Sequence, residues 1–151
     1  DVDLDVLAAT QARHPQVEVL TPGDLLTADL AIYSPNALGG VIDPYAAATT
    51  GAEVVCGGAN NPLTGPDAAA VLLERGITYA PDYLVNSGGV IQVSDELLGF
   101  DMSRARATTK RIYETTLEVL AVAADEGISP LVAADRVAER RMARAGRDGT
   151  P

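Results

Sequence analysis

The chain has 151 residues and a mass of 15.6 kDa, and 47% of its residues are hydrophobic and 21% charged, which is typical of one globular domain or part of one. Its formal net charge of −10 argues against nucleic-acid binding, because phosphate contacts require clustered Lys and Arg side chains. No apolar run approaches the roughly 20 residues of a membrane-spanning helix, and no signal peptide is visible. A single cysteine cannot form an internal disulfide, which favours a cytoplasmic protein.

The first third of the sequence predicts two helices and two strands. Apolar spacing favours a helix over about residues 3–13. Residues 17–20 alternate apolar and polar side chains like a short strand. Thr21 suits the N-cap of a brief second helix and Pro22 its first position. Residues 30–33 are all apolar, which is typical of a buried strand.

The rest of the chain alternates strands and helices up to about residue 90 and then contains helices alone. The predicted elements are a short helix after Asp43, a strand at 53–56, a helix from Gly65 to Arg75, a strand at 77–79, and helices at 90–98, 103–125 and from Ser129 onward. This order predicts an α/β fold with a parallel sheet and a helical C-terminal extension. We expect residues 1–144 to form this domain and residues 145–151 a flexible tail.

Three segments rich in Asn and Gly, at 34–40, 56–61 and 80–91, each follow a predicted strand and precede a helix. The carboxyl ends of parallel strands lie along one edge of a sheet, so their side chains are expected to meet in one ligand crevice. The amides expected to converge there are those of Asn36, Asn60, Asn61 and Asn86. An amide both donates and accepts hydrogen bonds, as a carboxamide or a ribose hydroxyl requires. The alternative explanation is that these are ordinary turn residues. Their occurrence after three successive predicted strands makes that explanation less favoured.

Asp1 lies just before the first helix, where dinucleotide-binding folds place an acidic residue that binds the adenosine ribose. Asp3 competes for that role, and the preference of acidic residues for a helix N-terminus is the alternative. No G-x-G-x-x-G occurs in these residues; it would precede the acidic residue by about 20 positions. We therefore expect a fragment of a Rossmann-like sheet that lacks the first strand and the glycine fingerprint.

These segments resemble the Glu/Leu/Phe/Val dehydrogenase family, and within it the leucine, valine and phenylalanine enzymes. Residues 34–42 (SPNALGGVI) resemble its S-P-C-A-L-G segment, residues 57–61 (GGANN) its G-x-A-N-N, and residues 80–91 (APDYLVNSGGVI) its A-P-D-Y-x-x-N-A-G-G. Asn36 and Ser87 depart from the usual Cys and Ala. The resemblance extends to about residue 144. It implies a homo-oligomeric enzyme that oxidatively deaminates an L-amino acid to a 2-oxo acid and ammonia, with NAD as hydride acceptor.

The resemblance also implies a set of site residues. Those expected to bind the cofactor are Asp1, Pro35, Asn36, Ala37, Leu38, Gly58, Ala59, Asn60 and Asn86. Asn86 would hold the nicotinamide carboxamide, and Asn61 would contact the substrate carboxylate, a role not separable from that of Asn60. Val90 and Val93 match positions that line the substrate side-chain pocket. Two β-branched residues there favour Leu, Val or Ile over Phe, by about 1–3 kcal/mol for each methylene of fit.

The family's catalytic lysines and aspartate belong to an N-terminal substrate domain that we expect to be absent here. Lys110 is the only lysine and matches none of them, so no catalytic residue is assigned and the chain alone is expected to be inactive. With one His and one Cys, no metal site is expected either. The alternatives are a phenylalanine-type enzyme, a glutamate-type enzyme, which would need a basic residue near Val90 and Val93, and a non-catalytic nucleotide-binding or interaction module.

Overall fold

The structure is a computed structural model that describes residues 3–147, so the predicted ribose ligand Asp1 lies outside the described residues. The strands are β1 (Asp29–Tyr33), β2 (Gly51–Val55) and β3 (Thr78–Tyr79). The helices are α1 (Leu4–Arg13), α2 (Pro22–Thr27), α3 (Pro44–Thr49), α4 (Pro66–Glu74), α5 (Asp82–Val85), α6 (Gly88–Glu96), α7 (Met102–Glu126) and α8 (Pro130–Arg147).

The three strands form one parallel sheet in the order β1-β2-β3. Tyr33 pairs with Val55, and Val55 pairs in turn with Tyr79, so the three strands end at the same level. Helices α3 and α4 make the two crossovers, as parallel neighbours require. Helices α5 to α8 follow the last strand. The predicted α/β class, with a parallel sheet and a helical C-terminal extension, is confirmed.

The polar residues before several helices act as the sequence predicts. The Thr21 hydroxyl accepts the Asp24 N–H at 3.2 Å, and the Asp43 carboxylate accepts the Ala46 N–H at 2.7 Å. Each bond satisfies a backbone donor that has no partner within its helix. Gly127, with a φ of 63°, ends α7 in the left-handed conformation that glycine adopts without strain.

Two apolar clusters stabilise the described part of the chain. One lies between the sheet and its crossover helices and comprises Ile42, Ala46, Ala47, Val55, Ala68, Leu72, Ile77 and Tyr79. The other joins α7 to α8 through Val119, Ala123, Ala133, Ala134 and Val137. Small residues dominate the second cluster, which lets the two helices approach closely. The helix α8 continues to Arg147, three residues into the segment that was expected to be a tail.

The prediction that residues 30–33 form a buried strand is correct for the strand and wrong for its burial. Among the described strands, β1 lies at the edge of the sheet, because it pairs with β2 on one side and with no described strand on the other. Ala31 and Ile32 are exposed, and 59% of the Ile32 surface is accessible. An all-apolar strand is typical of a sheet that is buried on both faces. The described residues bury β1 only in part.

The predicted strand at residues 17–20 is wrong. These residues are irregular, and the Val17 N–H donates to the His14 carbonyl at 2.9 Å within a turn. Val17 and Val19 are both exposed. Their alternation matches the two-residue period of a strand. A strand also needs a neighbour to bond its backbone, and residues 17–20 pair with none of the three described strands.

A buried carboxylate holds the corner between α6 and α7. Asp95 accepts hydrogen bonds from the Arg104 guanidinium and from the Asp101 N–H, the latter at 2.6 Å. Arg104 also donates to the Gly99 carbonyl at 2.7 Å. The hydrogen bond from Arg104, and then that from Asp101, hold the pKa of the Asp95 carboxyl below its ordinary value of 3.8.

This lowered pKa predicts an acid-sensitive contribution to stability. The contribution is present at pH values above 3.8 and is lost as the pH falls from there through the lower pKa of the folded state. We expect Asp95→Asn to destabilise the chain at neutral pH and to lose less further stability on acidification than the unmodified chain. Thermal unfolding at neutral pH and at about pH 3 measures both effects. Asp67→Asn, the same charge change at an exposed α4 position, is the control, and equal acid sensitivity of Asp95→Asn and the unmodified chain would contradict the assignment.

Candidate functional site

The three predicted loops meet at the edge of the sheet where the parallel strands end. Residues 34–43 follow β1 and residues 56–65 follow β2. Residues 80–87, which follow β3, include the short helix α5 and are called the third loop. Because the strands are adjacent, parallel and in register at their ends, the loops leave the sheet side by side. This is the edge at which open α/β sheets bind their ligands.

The first two loops are joined through Asn36, whose amide is engaged at both ends. Its Oδ1 accepts the Gly58 N–H at 2.8 Å, while its Nδ2 donates to the Ser34 carbonyl at 2.9 Å and to the Ser34 hydroxyl at 3.0 Å. The Ala59 N–H adds a bond of 2.9 Å to the Pro35 carbonyl. A cysteine at position 36 lacks an amide that could accept from one loop while donating to the other. In this chain Asn36 therefore ties the two loops together.

The same two loops touch closely at a glycine. A Cβ at Gly39 would lie 2.5 Å from the Asn60 carbonyl oxygen and 2.8 Å from that of Asn61. Gly40, with a φ of 68°, donates its N–H to the Asn61 carbonyl at 2.8 Å. Backbone approach this close excludes any side chain at position 39 without movement of the loop after β2. The glycines of the first loop thus serve the contact between loops.

The second and third loops are joined by a pair of amides. Asn86 Nδ2 donates to Asn60 Oδ1 at 2.7 Å, and the Asn86 N–H donates to the Asp82 carbonyl at 2.8 Å. Within residues 3–147, neither Asn86 Oδ1 nor Asn60 Nδ2 has a hydrogen-bond partner. The pair therefore presents one acceptor and one donor at the edge of the sheet, as a carboxamide ligand requires.

The buried carboxylate of Asp82 contacts the backbone of the second loop. Asp82 accepts the Asn61 N–H at 2.8 Å through Oδ2 and the Tyr79 hydroxyl at 2.9 Å through Oδ1. Burial, followed by the hydrogen bond to Asp82, raises the pKa of the Tyr79 hydroxyl well above its ordinary value, so the phenol stays protonated as a donor. Asn61 has a φ of 50°, and it is the one non-glycine residue among those described with a positive φ.

The remaining predicted site residues differ in their exposure. Leu38 is 79% exposed beside Ala37, which is also exposed, whereas Pro35 and Ala59 are buried. Val90 and Val93 lie on one face of α6, three residues apart, and are 69% and 62% exposed. The two valines therefore form an open apolar face on α6 in the described part of the chain.

The structure thus brings the amides of Asn60 and Asn86 into contact, with Asn61 next to Asn60 in the same loop. It ties Asn36 to that loop through Gly58 and places Val90 and Val93 on the helix that follows. Sequence reasoning missed Asp82 and Tyr79. The available signal was a carboxylate placed directly after two apolar residues, Ala80 and Pro81, since a buried charge needs partners.

Residues 3–147 contain neither a candidate metal site nor a candidate membrane-spanning helix. No three His, Cys, Asp or Glu side chains in this range are grouped so that they could hold a metal ion. The same residues include no helix that is both long and apolar enough to cross a membrane.

Known proteins resemble both the sequence and the fold. Residues 3–148 match the family model of the glutamate/leucine/phenylalanine/valine dehydrogenases. The valine dehydrogenase of Streptomyces albus is 50% identical over 147 residues, 96% of this chain and 40% of that protein. The leucine dehydrogenase of Geobacillus stearothermophilus is 38% identical over 142 residues, 94% of this chain and 38% of that protein.

A solved structure extends the likeness to the backbone. The crystal structure of L-tryptophan dehydrogenase from Nostoc punctiforme superposes with a TM-score of 0.90 at 33% identity, over 97% of this chain and 45% of that one. The chain therefore spans about 40% of the length of the curated relatives that it matches. From its family match and its three ordered loop segments, the chain belongs to the glutamate/leucine/phenylalanine/valine dehydrogenase family.

Proposed function

We propose that this chain is the cofactor-binding part of an NAD-dependent L-amino-acid dehydrogenase that acts on branched-chain substrates. The observation that carries the proposal is the Asn60–Asn86 amide pair, which leaves one donor and one acceptor open at the ligand edge of a parallel sheet. A nicotinamide carboxamide offers the complementary acceptor and donor. Backbone hydrogen bonds connect the loops around the pair, so the open donor and the open acceptor are held in position before a ligand binds.

The cofactor-binding residues in this proposal come from all three loops. They are Pro35, Asn36, Ala37, Leu38, Gly58, Ala59, Asn60 and Asn86, together with Asp1 at the adenosine ribose. Asn36 acts mainly by holding the Gly58 backbone in place. A carboxylate at position 1 would repel a 2′-phosphate and so favours NAD over NADP. Bound there, NAD⁺ supplies the hydride acceptor.

The substrate would lie between the amides and the exposed face of α6. The Asn61 side-chain amide makes no hydrogen bond within residues 3–147, and its Nδ2 suits a substrate carboxylate. Val90 and Val93 offer two β-branched apolar surfaces, and α6, which carries them, has no basic residue for a second substrate carboxylate. The higher identity to valine dehydrogenase than to L-tryptophan dehydrogenase, 50% against 34%, supports a branched-chain substrate over a large aromatic one.

The proposal also predicts that these 151 residues do not turn over substrate by themselves. Oxidative deamination needs a base within hydrogen-bond reach of the reacting centre. Lys110, the sole lysine, lies on α7 and not on any of the three loops. We expect no NADH from the purified chain with L-valine and NAD⁺, and NADH formation from the complete reading frame that contains it. Turnover by the 151 residues alone would contradict this division of labour.

Three further properties belong to the same proposal. The sheet would be the later part of a Rossmann-like domain, the protein would be cytoplasmic, and it would assemble as a homo-oligomer. A phenylalanine-type enzyme, a glutamate-type enzyme and a non-catalytic nucleotide-binding module remain the alternatives. A glycine fingerprint and lysines in the reading frame before residue 1 would favour an enzyme over a non-catalytic module.

A further inference from the structure

We propose that Asp82 is a positioning residue that sets the direction of the Asn60 and Asn61 side chains through its hydrogen bond to the Asn61 backbone. The inference rests on the proposed function, since it gives Asp82 a role in the same crevice. Asp82 is only 8% exposed, and its two carboxylate oxygens face two different partners.

The first step of the argument is the backbone conformation of Asn61. A φ of 50° is a left-handed conformation that costs free energy for a residue with a Cβ, although Asn tolerates it better than most. Nothing in the sequence of the loop forces this conformation, because the next residue, Pro62, favours extended backbone instead. The loop therefore needs an external contact to hold Asn61 in place.

The Asp82 carboxylate provides that contact. Oδ2 accepts the Asn61 N–H at 2.8 Å from a buried position, where a hydrogen bond to a charged group is stronger than one between neutral groups. On the other side of Asn61, its carbonyl accepts the Gly40 N–H at 2.8 Å. The peptide groups flanking Asn61 are thus fixed from two directions, which fixes the direction of its Cα–Cβ bond.

The Tyr79 hydroxyl fixes the carboxylate in turn. It donates to Oδ1 at 2.9 Å from the end of β3, which anchors Asp82 to the sheet. The chain of contacts runs from the sheet through Tyr79 and Asp82 to Asn61. Asn60, whose Oδ1 accepts from Asn86, is the adjacent residue of the same loop. Loss of the Asp82 contact would therefore move both asparagines.

Three variants of the complete enzyme test the inference. Asp82→Ala removes both contacts, and we expect the KM for L-valine to rise about tenfold or more, the effect of losing roughly one hydrogen bond to a charged group, with a smaller change in kcat. Asp82→Asn keeps one oxygen for the Asn61 N–H and should restore most of the affinity. Tyr79→Phe leaves the bond from the Asn61 N–H to Asp82 in place but releases the carboxylate from the sheet, so it should raise the KM by less than Asp82→Ala does.

Two results for the Asp82 variants would contradict the inference. A folded Asp82→Ala enzyme with an unchanged KM would overturn the inference. A KM for Asp82→Asn as high as that for Asp82→Ala would overturn it too, because Asp82→Asn keeps an oxygen that can accept the Asn61 N–H. Failure of the unmodified enzyme to form NADH would instead contradict the proposed function, and amide exchange then still tests the contact.

Hydrogen exchange measures the contact without relying on activity or on the variants. In the unmodified protein, we expect the Asn61 backbone amide to exchange at least about tenfold more slowly than that of Asn60, which has no hydrogen-bond acceptor within residues 3–147. Equal exchange rates for the two amides would overturn the inference even if Asp82→Ala fails to fold.

Discussion

Gly57→Ala is expected to destabilise the chain by about 1–3 kcal/mol, the usual cost of forcing a methyl group into closely packed structure. A Cβ at this position would lie 2.1 Å from the Pro35 carbonyl oxygen and 2.7 Å from Pro35 Cδ. Both atoms belong to a rigid residue that is itself buried, so neither moves aside easily. The loops after β1 and β2 must separate instead.

That separation should also reach the proposed cofactor site. It would lengthen the bond from the Ala59 N–H to the Pro35 carbonyl, now 2.9 Å, and the bond from the Gly58 N–H to Asn36, now 2.8 Å. We therefore expect the complete enzyme carrying Gly57→Ala to bind NAD⁺ more weakly than the unmodified enzyme. Denaturant unfolding and NAD⁺ titration measure the two effects separately.

Gly23→Ala is the matched control for Gly57→Ala. It adds the same methyl group within α2, where nothing lies within 4 Å of the added Cβ. Alanine is the better helix former by up to about 1 kcal/mol, so this variant should be neutral or stabilising. Equal unfolding midpoints for Gly57→Ala and the unmodified chain would contradict the close approach of the two loops.

Asn86→Ala is expected to lower kcat/KM of the complete enzyme by about tenfold or more, because the nicotinamide carboxamide loses its partner in the proposed site. The same change removes the bond of 2.7 Å from Nδ2 to Asn60, which frees the Asn60 side chain to rotate. Asn86 is only half-buried, so we expect the free energy of unfolding to change little. Initial rates at varied NAD⁺ concentration measure the loss.

Gln92→Ala provides the comparison for Asn86→Ala. Gln92 carries the same amide group on α6 and is exposed. Its side chain makes no hydrogen bond within residues 3–147, so its removal should leave both stability and kcat/KM near their original values. If Gln92→Ala and Asn86→Ala reduce kcat/KM alike, Asn86 has no special place at the cofactor.

The sequence predicted the elements whose signals are local. Thr21 and Asp43 predict helix starts because their side chains accept hydrogen bonds from the first turn of the helix. The spacing of three Asn- and Gly-rich segments after three strands predicted where the loops would meet. The local pattern failed at residues 17–20, where alternation alone cannot provide a strand with a partner. It also failed at Ile32, whose exposure depends on what covers that face of β1.

The contacts between loops were beyond the reach of the sequence. Asn36 and Gly58 are 22 residues apart, and Asn61 and Asp82 are 21 apart, so no periodicity links them. Their pairing follows from the parallel register, which places the ends of β1, β2 and β3 side by side. The sequence predicted candidate residues for the site, and the geometry adds which residues hold others in place.

The most direct test of the central claim is the substrate profile of the complete enzyme. The absorbance of NADH is followed with NAD⁺ and, in turn, L-valine, L-leucine, L-phenylalanine and L-glutamate. We expect NADH formation, with a higher kcat/KM for valine or leucine than for phenylalanine and no comparable rate for glutamate, because Val90 and Val93 offer a narrow apolar surface. No NADH with any of the four amino acids, or a preference for glutamate, would contradict the account.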